Sequence, residues 1–415
     1  MTPAQHGLAS ALKYLLLIVI GTFPALSVIV DGYGSALWYL LGLAGIVSFA
    51  ISANVRRRLC FEPKALLFVA APFLFFMWSI IIYWLVDPSD FAKSRVERHA
   101  LLLISIPVIA LLFHARFRAK DLLLSFSLSG LVFLAYWVVH DGEGRLDGLV
   151  HAIHFGNIAL ITLILCVGGL LTQSKRHWYV IAAMGSVGAL IAFMESGSRG
   201  GLVALFLALL AIGFWFSVTR NQIRYFVITL ALVASVAIVS VKFVDPISER
   251  YELTLNEIDK FSEGQMYTSM GMRLLMWDAA MNVVTEAPFI GSGFSGYRTE
   301  ILTRISEGQL KPLMSDFSSE PHNQYLYQLA SHGLIGLFLL LLMLTLPLFY
   351  LATPRPGSHL NHHILRVTLA VIFLSFIFFG LTITLFDQRR ILQNFGLYYA
   401  VAAWFICNTY RERPH

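Results

Sequence analysis

Two stretches of this chain, Phe73 to Val86 and Leu334 to Ala352, contain no charged residue, and such runs constrain the fold more than any other feature. A hydrocarbon core needs roughly 20 apolar residues per helix. Inside lipid, every backbone N–H and C=O must be satisfied within its own segment. Continuous apolar runs therefore imply membrane-crossing helices, whereas barrel strands would show short alternating segments. Composition agrees: 57% of the 415 residues are hydrophobic and only 13% are charged, against roughly a quarter charged in a soluble chain. The expected fold is an all-α integral membrane protein.

Twelve spans are expected, over residues 8–30, 35–53, 63–86, 99–114, 121–140, 150–172, 177–194, 200–218, 223–241, 323–352, 365–386 and 393–410. The first is too long for the apolar part of a signal peptide and lacks a clear small-residue cleavage site, so it reads as an uncleaved span. Even-numbered connections and both termini then share one side. That side carries 16 bases, including Arg56, Arg57, Arg58, Lys64, Arg116, Arg118 and Lys120, against Glu62, Asp121 and Glu412 alone. The other side keeps 14 bases and 21 acids. Basic connections stay in the cytoplasm, so both termini are expected there. The net charge of +6 reflects this orientation and not a nucleic-acid partner. Trp38, Trp84, Trp137, Trp178 and Trp215 lie near span ends, as an interfacial belt requires. Cys60, Cys166 and Cys407 lie in or near apolar segments, so neither a disulfide nor a thiolate metal site is expected.

The chain divides into a first group of nine spans (1–241), one large loop (242–322) and a last group of three spans (323–415). Within the loop, Arg250 to Ser262 reads as a polar helix. Arg273 to Val284 reads as an amphipathic helix with Leu274, Trp277, Met281 and Val284 on one face. Pro288, Gly291, Gly293 and Gly296 follow, a composition that allows close backbone approach.

Candidate chemistry gathers on the acidic side. Arg199 stands in Glu195-Ser-Gly-Ser-Arg-Gly-Gly-Leu202 at the start of the eighth span, and Arg273 opens the amphipathic loop helix. Both sit near helix N-termini, where positive potential favours anions. A guanidinium fork can grip phosphate oxygens bidentately, which suggests a phosphorylated lipid or a polyprenyl pyrophosphate. Interfacial anchoring or salt bridges to the nearby acids would account for the same residues. His322 lies in Ser319-Glu-Pro-His-Asn-Gln-Tyr325, where Pro321 suits a first-turn position and would put His322 in the opening turn of the tenth span. The helix dipole then disfavours imidazolium, and a neutral ring can take a proton from an attacking hydroxyl. A capping histidine is the alternative. Asn323 could orient that ring or an acceptor. His151 and His154 form a possible metal pair one turn apart, but packing or substrate contact suits them better because spacing offers no third ligand. Arg145 could reach the same cleft, and Arg389 with Arg390 could frame a lipid headgroup or anchor the last span. His332 lies deeper in its span and reads as a hydrogen-bonded core residue.

His322-Asn323, nine residues and Gly333-Leu-Ile-Gly336 together resemble the signature of the bacterial O-antigen ligase family, at the end of the large loop where that family has it. Arg273…Trp277…Pro288…Gly291-Ser-Gly293 is similar to the arginine-led segment of the wider ligase/polymerase superfamily. Ser198-Arg199-Gly200-Gly201 resembles its other arginine site, and Arg145-Leu-Asp-Gly148 through Asn157 its Arg-x-x-Gly segment. One departure is that Leu202 follows Arg199 by three residues, where the family often has leucine four on.

The resemblance implies a GT-C-like, metal-independent, inverting glycosyltransferase without a cofactor, in the bacterial inner membrane. Its donor would be O-antigen on undecaprenyl pyrophosphate and its acceptor lipid A-core oligosaccharide, joined on the periplasmic face. Arg199 and Arg273 would hold the pyrophosphate and His322 would act as general base. Asn323, Arg145, His154 and Arg389 would be further substrate contacts. The histidine motif favours a ligase over an O-antigen polymerase, while protein O-oligosaccharyltransferases remain an alternative. A lipid-linked oligosaccharide flippase is the rival from another class. Transporters, however, tend to place ionisable groups in mid-membrane, use broken helices and show repeated halves; apart from His332 the expected span centres are uncharged, and the halves do not match.

Overall fold

The computed structural model describes residues 3–115, 117–140, 144–243, 266–353 and 359–409, and among them every regular element is a helix. In chain order these are α1 (Pro3–Ile29), α2 (Tyr33–Ile51), α3 (Ala53–Phe61), α4 (Pro63–Leu85), α5 (Asp90–His99), α6 (Ser105–Ala115), α7 (Ala119–Ser125), α8 (Ser127–Val139) and α9 (Ala152–Leu171). Then come α10 (Arg176–Glu195), α11 (Arg199–Arg220), α12 (Arg224–Phe243), the loop helices α13 (Ser269–Glu286) and α14 (Gly296–Ser306), and finally α15 (Gln324–Ala352), α16 (Leu360–Phe379) and α17 (Arg389–Thr409). The expected polar helix over Arg250 to Ser262 lies outside the described residues.

Among the described residues, ten segments are long and apolar enough to cross a membrane, and they coincide with ten of the twelve expected spans. The eleventh runs over Leu360–Phe379, not 365–386, and the fourth differs at its start. It runs from Asp90, not from residue 99, through a 3-10 turn at Ala100–Ile104 that joins α5 to α6. The ninth expected span corresponds to α12 and the twelfth to α17. α17 carries Gln393, Asn394, Tyr398 and Tyr399, yet nearly all its side chains are buried. A helix enclosed by other helices need not be apolar all round, because protein partners replace lipid: Asn394 donates to Ser27 Oγ at 2.8 Å. The outer helices instead turn rows such as Leu40, Leu43, Ile46 and Val47 outward, the surface that lipid covers.

Small residues let the helices approach closely. Gly130 of α8 lies against the backbone of Gly185 in α10, and Gly188 lies against Gly130 in return, so a methyl at any of the three would strike a main chain. Trp38, expected in the interfacial belt, is instead a core residue at 0% exposure, its indole donating to the Leu101 carbonyl at 2.9 Å. Trp84, Trp137 and Trp178 do present exposed rings.

α15 is interrupted. Gly333 adopts φ 65° and ψ −167°, and the orphaned backbone groups around it are taken up by the loop segment 288–293. Ser292 and Gly293 N–H donate to the Ala330 and Ser331 carbonyls at 2.8 and 3.1 Å, while Leu334 and Ile335 N–H donate to the Pro288 and Phe289 carbonyls at 2.9 and 3.4 Å. Trp78 of α4 donates to the His332 carbonyl at 3.0 Å. The break is thus fully paired within protein, the condition for irregular backbone at membrane depth. His332 itself is 0% exposed and its Nδ1 is hydrogen-bonded to Ser331 Oγ at 2.7 Å, while its Nε2 has no partner among the described residues.

Candidate active site

Several connections meet at one end of the bundle, among the described residues. Leu149 N–H donates to the Val28 carbonyl, and Gln324 N–H to that of Gly380. Asp87, in the turn after α4, accepts from Ser295 N–H at 2.7 Å and so ties down the start of α14. Gly200 packs against Thr382. The site is built at this junction.

α13 sets its position. Thr268 caps the helix by accepting from Gly271 N–H, and its inner face is Gly271, Met276, Ala279, Ala280 and Val283. The expected face was different: Leu274 and Met281 point outward at 37% and 45% exposure. Small residues carry the contact because α13 rests on α14 and α15 at close range, with Tyr297, Ile301 and Met314 filling the gap. Trp277 does turn inward, and its indole donates to the Pro321 carbonyl at 3.1 Å. One helical turn before it, on the same face, Arg273 reaches the neighbourhood of His322. Arg273 has no ion-pair partner among the described residues.

His322 is not in the first turn of α15. Asn323 is the N-cap, its side chain accepting from Tyr325 and Leu326 N–H at 3.0 and 3.2 Å. His322 precedes it at φ 49°, a left-handed conformation uncommon outside glycine and often held at functional sites. A cap must have extended backbone while its side chain turns back onto the helix; asparagine meets both demands, and the left-handed residue before it turns the chain out of α14's loop. Burial, then the positive charge of Arg273 and that of His151, push the His322 ring down to about 4. The expected neutral ring therefore holds, with burial and neighbouring charge as its causes. His154 also lies within electrostatic reach of His322.

Glu320, Asp387, Arg95 and Arg98 are functional candidates that sequence reading missed. Glu320 Oε1 is 3.6 Å from His322 Nδ1. Burial first, then the charge of Asp387, push its carboxyl up to about 8, against the opposing pull of Arg95. Asp387 pairs with Arg95 at 2.8 Å and Arg98 at 3.4 Å; burial nonetheless lifts its carboxyl to about 6. The one available signal was Arg95 and Arg98, three apart on α5 at the mouth of a span. A buried base needs a partner, and here it comes from the far end of the chain.

Arg145, Asn157 and Arg199 form a second node. Arg145 Nε and Nη2 donate to the Ser196 and Gly197 carbonyls at 2.7 and 3.2 Å, bracing a turn whose Gly197 has φ 59°. Ser198 caps α11 by accepting from Gly201 N–H and donates to Asn157 Oδ1 at 3.4 Å. Arg199 is the first residue of α11, and its side chain lies outside the described part of the structure. Its backbone reaches the histidine side through Gly200, Thr382 and the Gly380 carbonyl that receives Gln324 N–H. Arg389, by contrast, opens a separate pocket beside α17.

Fold and site together define a multi-pass membrane protein with a neutral histidine and an arginine without an ion-pair partner among the described residues at one end of its bundle. Residues 184–341 match the O-antigen ligase family, a segment that contains Arg199, Arg273 and His322. The chain is 27% identical over 342 residues to an uncharacterized protein of Haemophilus influenzae, covering 79% of this chain and 82% of that one. It is 29% identical over 127 residues to the O-antigen ligase of Escherichia coli, covering 30% of this chain and 29% of the relative. These similarities support membership of the O-antigen ligase family, over the segment that the family model matches.

Proposed function

We propose that this protein is a glycosyltransferase that moves O-antigen polysaccharide from undecaprenyl pyrophosphate to the lipid A-core oligosaccharide. The work would be done at the periplasmic face of the bacterial inner membrane, in a twelve-span GT-C-like bundle with both termini cytoplasmic. The observation that carries the reading is the conjunction of His322, a ring held neutral, with Arg273, a half-buried guanidinium without a carboxylate partner among the described residues. A transferase of this kind needs a base for the incoming hydroxyl and fixed positive charge for the leaving pyrophosphate.

His322 takes the proton of the acceptor hydroxyl. The oxygen attacks the anomeric carbon, the bond from that carbon to the pyrophosphate oxygen breaks, and its electron pair leaves with undecaprenyl pyrophosphate. A single displacement inverts the anomeric centre. Arg273 and Arg199 meet the charge that grows on the leaving group, a role a divalent cation fills in other transferases. Glu320 stands at Nδ1 of the ring and would orient it so that Nε2 faces the acceptor.

The test uses purified protein with an undecaprenyl-pyrophosphate-linked glycan and lipid A-core in EDTA, comparing wild type with His322→Ala. Slower-migrating, glycan-capped lipid A-core from wild type alone is the expected result. Equal product from the variant would remove His322 as base. Donor consumed into longer chains without capping would make the protein a polymerase instead.

A further inference from the structure

A cavity of about 540 Å³ opens beside the start of α17, apart from the Arg273 side of His322. Its walls include Arg98, Arg389, Arg390, Gln393 and Ser35, with Asp31 as the only carboxylate among the lining residues. Arg98 is paired with Asp387 at 3.4 Å and Arg390 with Asp31 at 3.0 Å, so Arg389 supplies the uncompensated positive charge that suits the pocket to an anion. Arg390 is braced by Asp31 at 3.0 Å and by the Leu149 carbonyl at 3.2 Å, and Arg98 donates to the Asp387 carbonyl at 2.7 Å. Arg389 is exposed and has no hydrogen-bond or ion-pair partner among the described residues.

A second observation is independent of charge. Gln393 is 0% exposed, its Nε2 donates to Ser35 Oγ at 3.3 Å, and its Oε1 has no partner among the described residues. A buried amide oxygen left unpaired is costly, and this one borders the cavity. It needs a donor, which a sugar hydroxyl supplies and a bare phosphate dianion does not. The volume also falls in the range of small-molecule sites and exceeds what one phosphate needs.

Two residues of the cavity lining adjoin residues of the reaction site in the chain. Val150 lines it, and the next residue, His151, is one of the groups felt by His322. Gln388 lines it, and the preceding Asp387 binds Arg95 and Arg98 beside Glu320. A ligand held here would lie beside residues that neighbour His151 and Asp387, and so close to the surroundings of His322. We propose that this pocket is the acceptor subsite: it holds a phosphorylated saccharide of the acceptor glycolipid, with Arg389 and Arg390 on the phosphate and Gln393 accepting from an adjoining hydroxyl. The assignment rests on the ligase reading above.

The experiment measures binding and transfer with the full chain in nanodiscs, using lipid A-core before and after phosphatase treatment. Arg389→Ala, an exposed position, should weaken binding of the phosphorylated glycolipid and raise its KM by about tenfold, the scale of one charge-assisted hydrogen bond. The KM of the undecaprenyl-linked donor should not move, and phosphatase-treated acceptor should bind wild type and variant alike. A shift in donor KM, or no loss of acceptor binding, would overturn the proposal. So would competition by phosphatidylglycerol at matching concentration, which would make the pocket a bilayer phospholipid site. Phosphate-dependent binding by a wild type that transfers no glycan would sink the ligase reading and leave the phosphoglycolipid site standing. Transfer that ignores Arg389 would sink the site alone.

Discussion

Replacing Gly333 by alanine tests the junction on which the site is built. Its φ of 65° and ψ of −167° fall in a region essentially reserved for glycine, where another residue costs about 1–3 kcal/mol. The added methyl would also strike the Phe289 carbonyl, so the segment 288–293 must shift away. The hydrogen bonds from Leu334 and Ile335 N–H to the Pro288 and Phe289 carbonyls would then be lost, at about 1 kcal/mol each. The total, about 4 kcal/mol, corresponds to roughly a thousandfold change in the opening equilibrium. Hydrogen exchange of the Ser292 and Gly293 amides, which donate to Ala330 and Ser331, reads that opening directly. Protection of peptides covering 288–296 should fall by about two to three orders of magnitude. Gly308→Ala is the control: Gly308 has φ +74° with nothing within 4 Å of an added methyl, so it costs about 1–2 kcal/mol locally and leaves 288–296 protected. Unchanged exchange in Gly333→Ala, or an equal loss in both variants, would refute the argument.

Arg273→Ala and Arg199→Ala should each lower glycan transfer by about 10²–10³-fold, the usual effect of losing one positioned charge donor, with protein still present in membranes by immunoblot. A base at His322 would act as the neutral ring, whose protonation lies near 4, so kcat/KM should fall as pH drops toward that value. Arg273→Ala removes a positive neighbour and should move this acid limb to higher pH; a fixed limb in a pH–rate profile would contradict the assignment. Glu320 is held protonated to about 8, above the ordinary carboxylate range, so its contribution to stability is full in acid and is lost as pH rises through 8. Thermal unfolding should therefore show wild type losing ground to Glu320→Gln between about pH 5 and 8. Asp387→Asn strips the carboxylate from Arg95, which is 6% exposed. The loss should be about 3–5 kcal/mol, seen as early unfolding, with Arg95→Leu/Asp387→Leu recovering much of it.

The large loop shows how local and non-local information divide. That a helix covers residues 273–284 was legible, since its signal is the 3.6-residue period of its own side chains. Which face it buries was not. Leu274 and Met281 look like the inner face by hydrophobicity, yet Ala279 and Ala280 face inward because two helices approach too closely for larger side chains. The same holds at α5. Asp90, Lys93, Arg95, Glu97 and Arg98 read as a solvated connection, and only the partnership with Asp387 makes Arg95 a buried residue of a span.

Membrane class, most span positions and the main arginine and histidine candidates are written in local patterns of the chain. Each of those depends on a property contained in one segment: twenty apolar residues match a bilayer, and a motif keeps its spacing whatever surrounds it. Packing between distant segments showed that Gly333 breaks α15 and that 288–293 repairs it. It alone also revealed that Asn323 caps while His322 turns left-handed, that Glu320 stands at the ring, and that Arg389 borders a pocket with Gln393 in its wall. These are facts about partners far apart in the chain. Burial and charge pairing are fixed by what packs against a residue, and no local pattern encodes that.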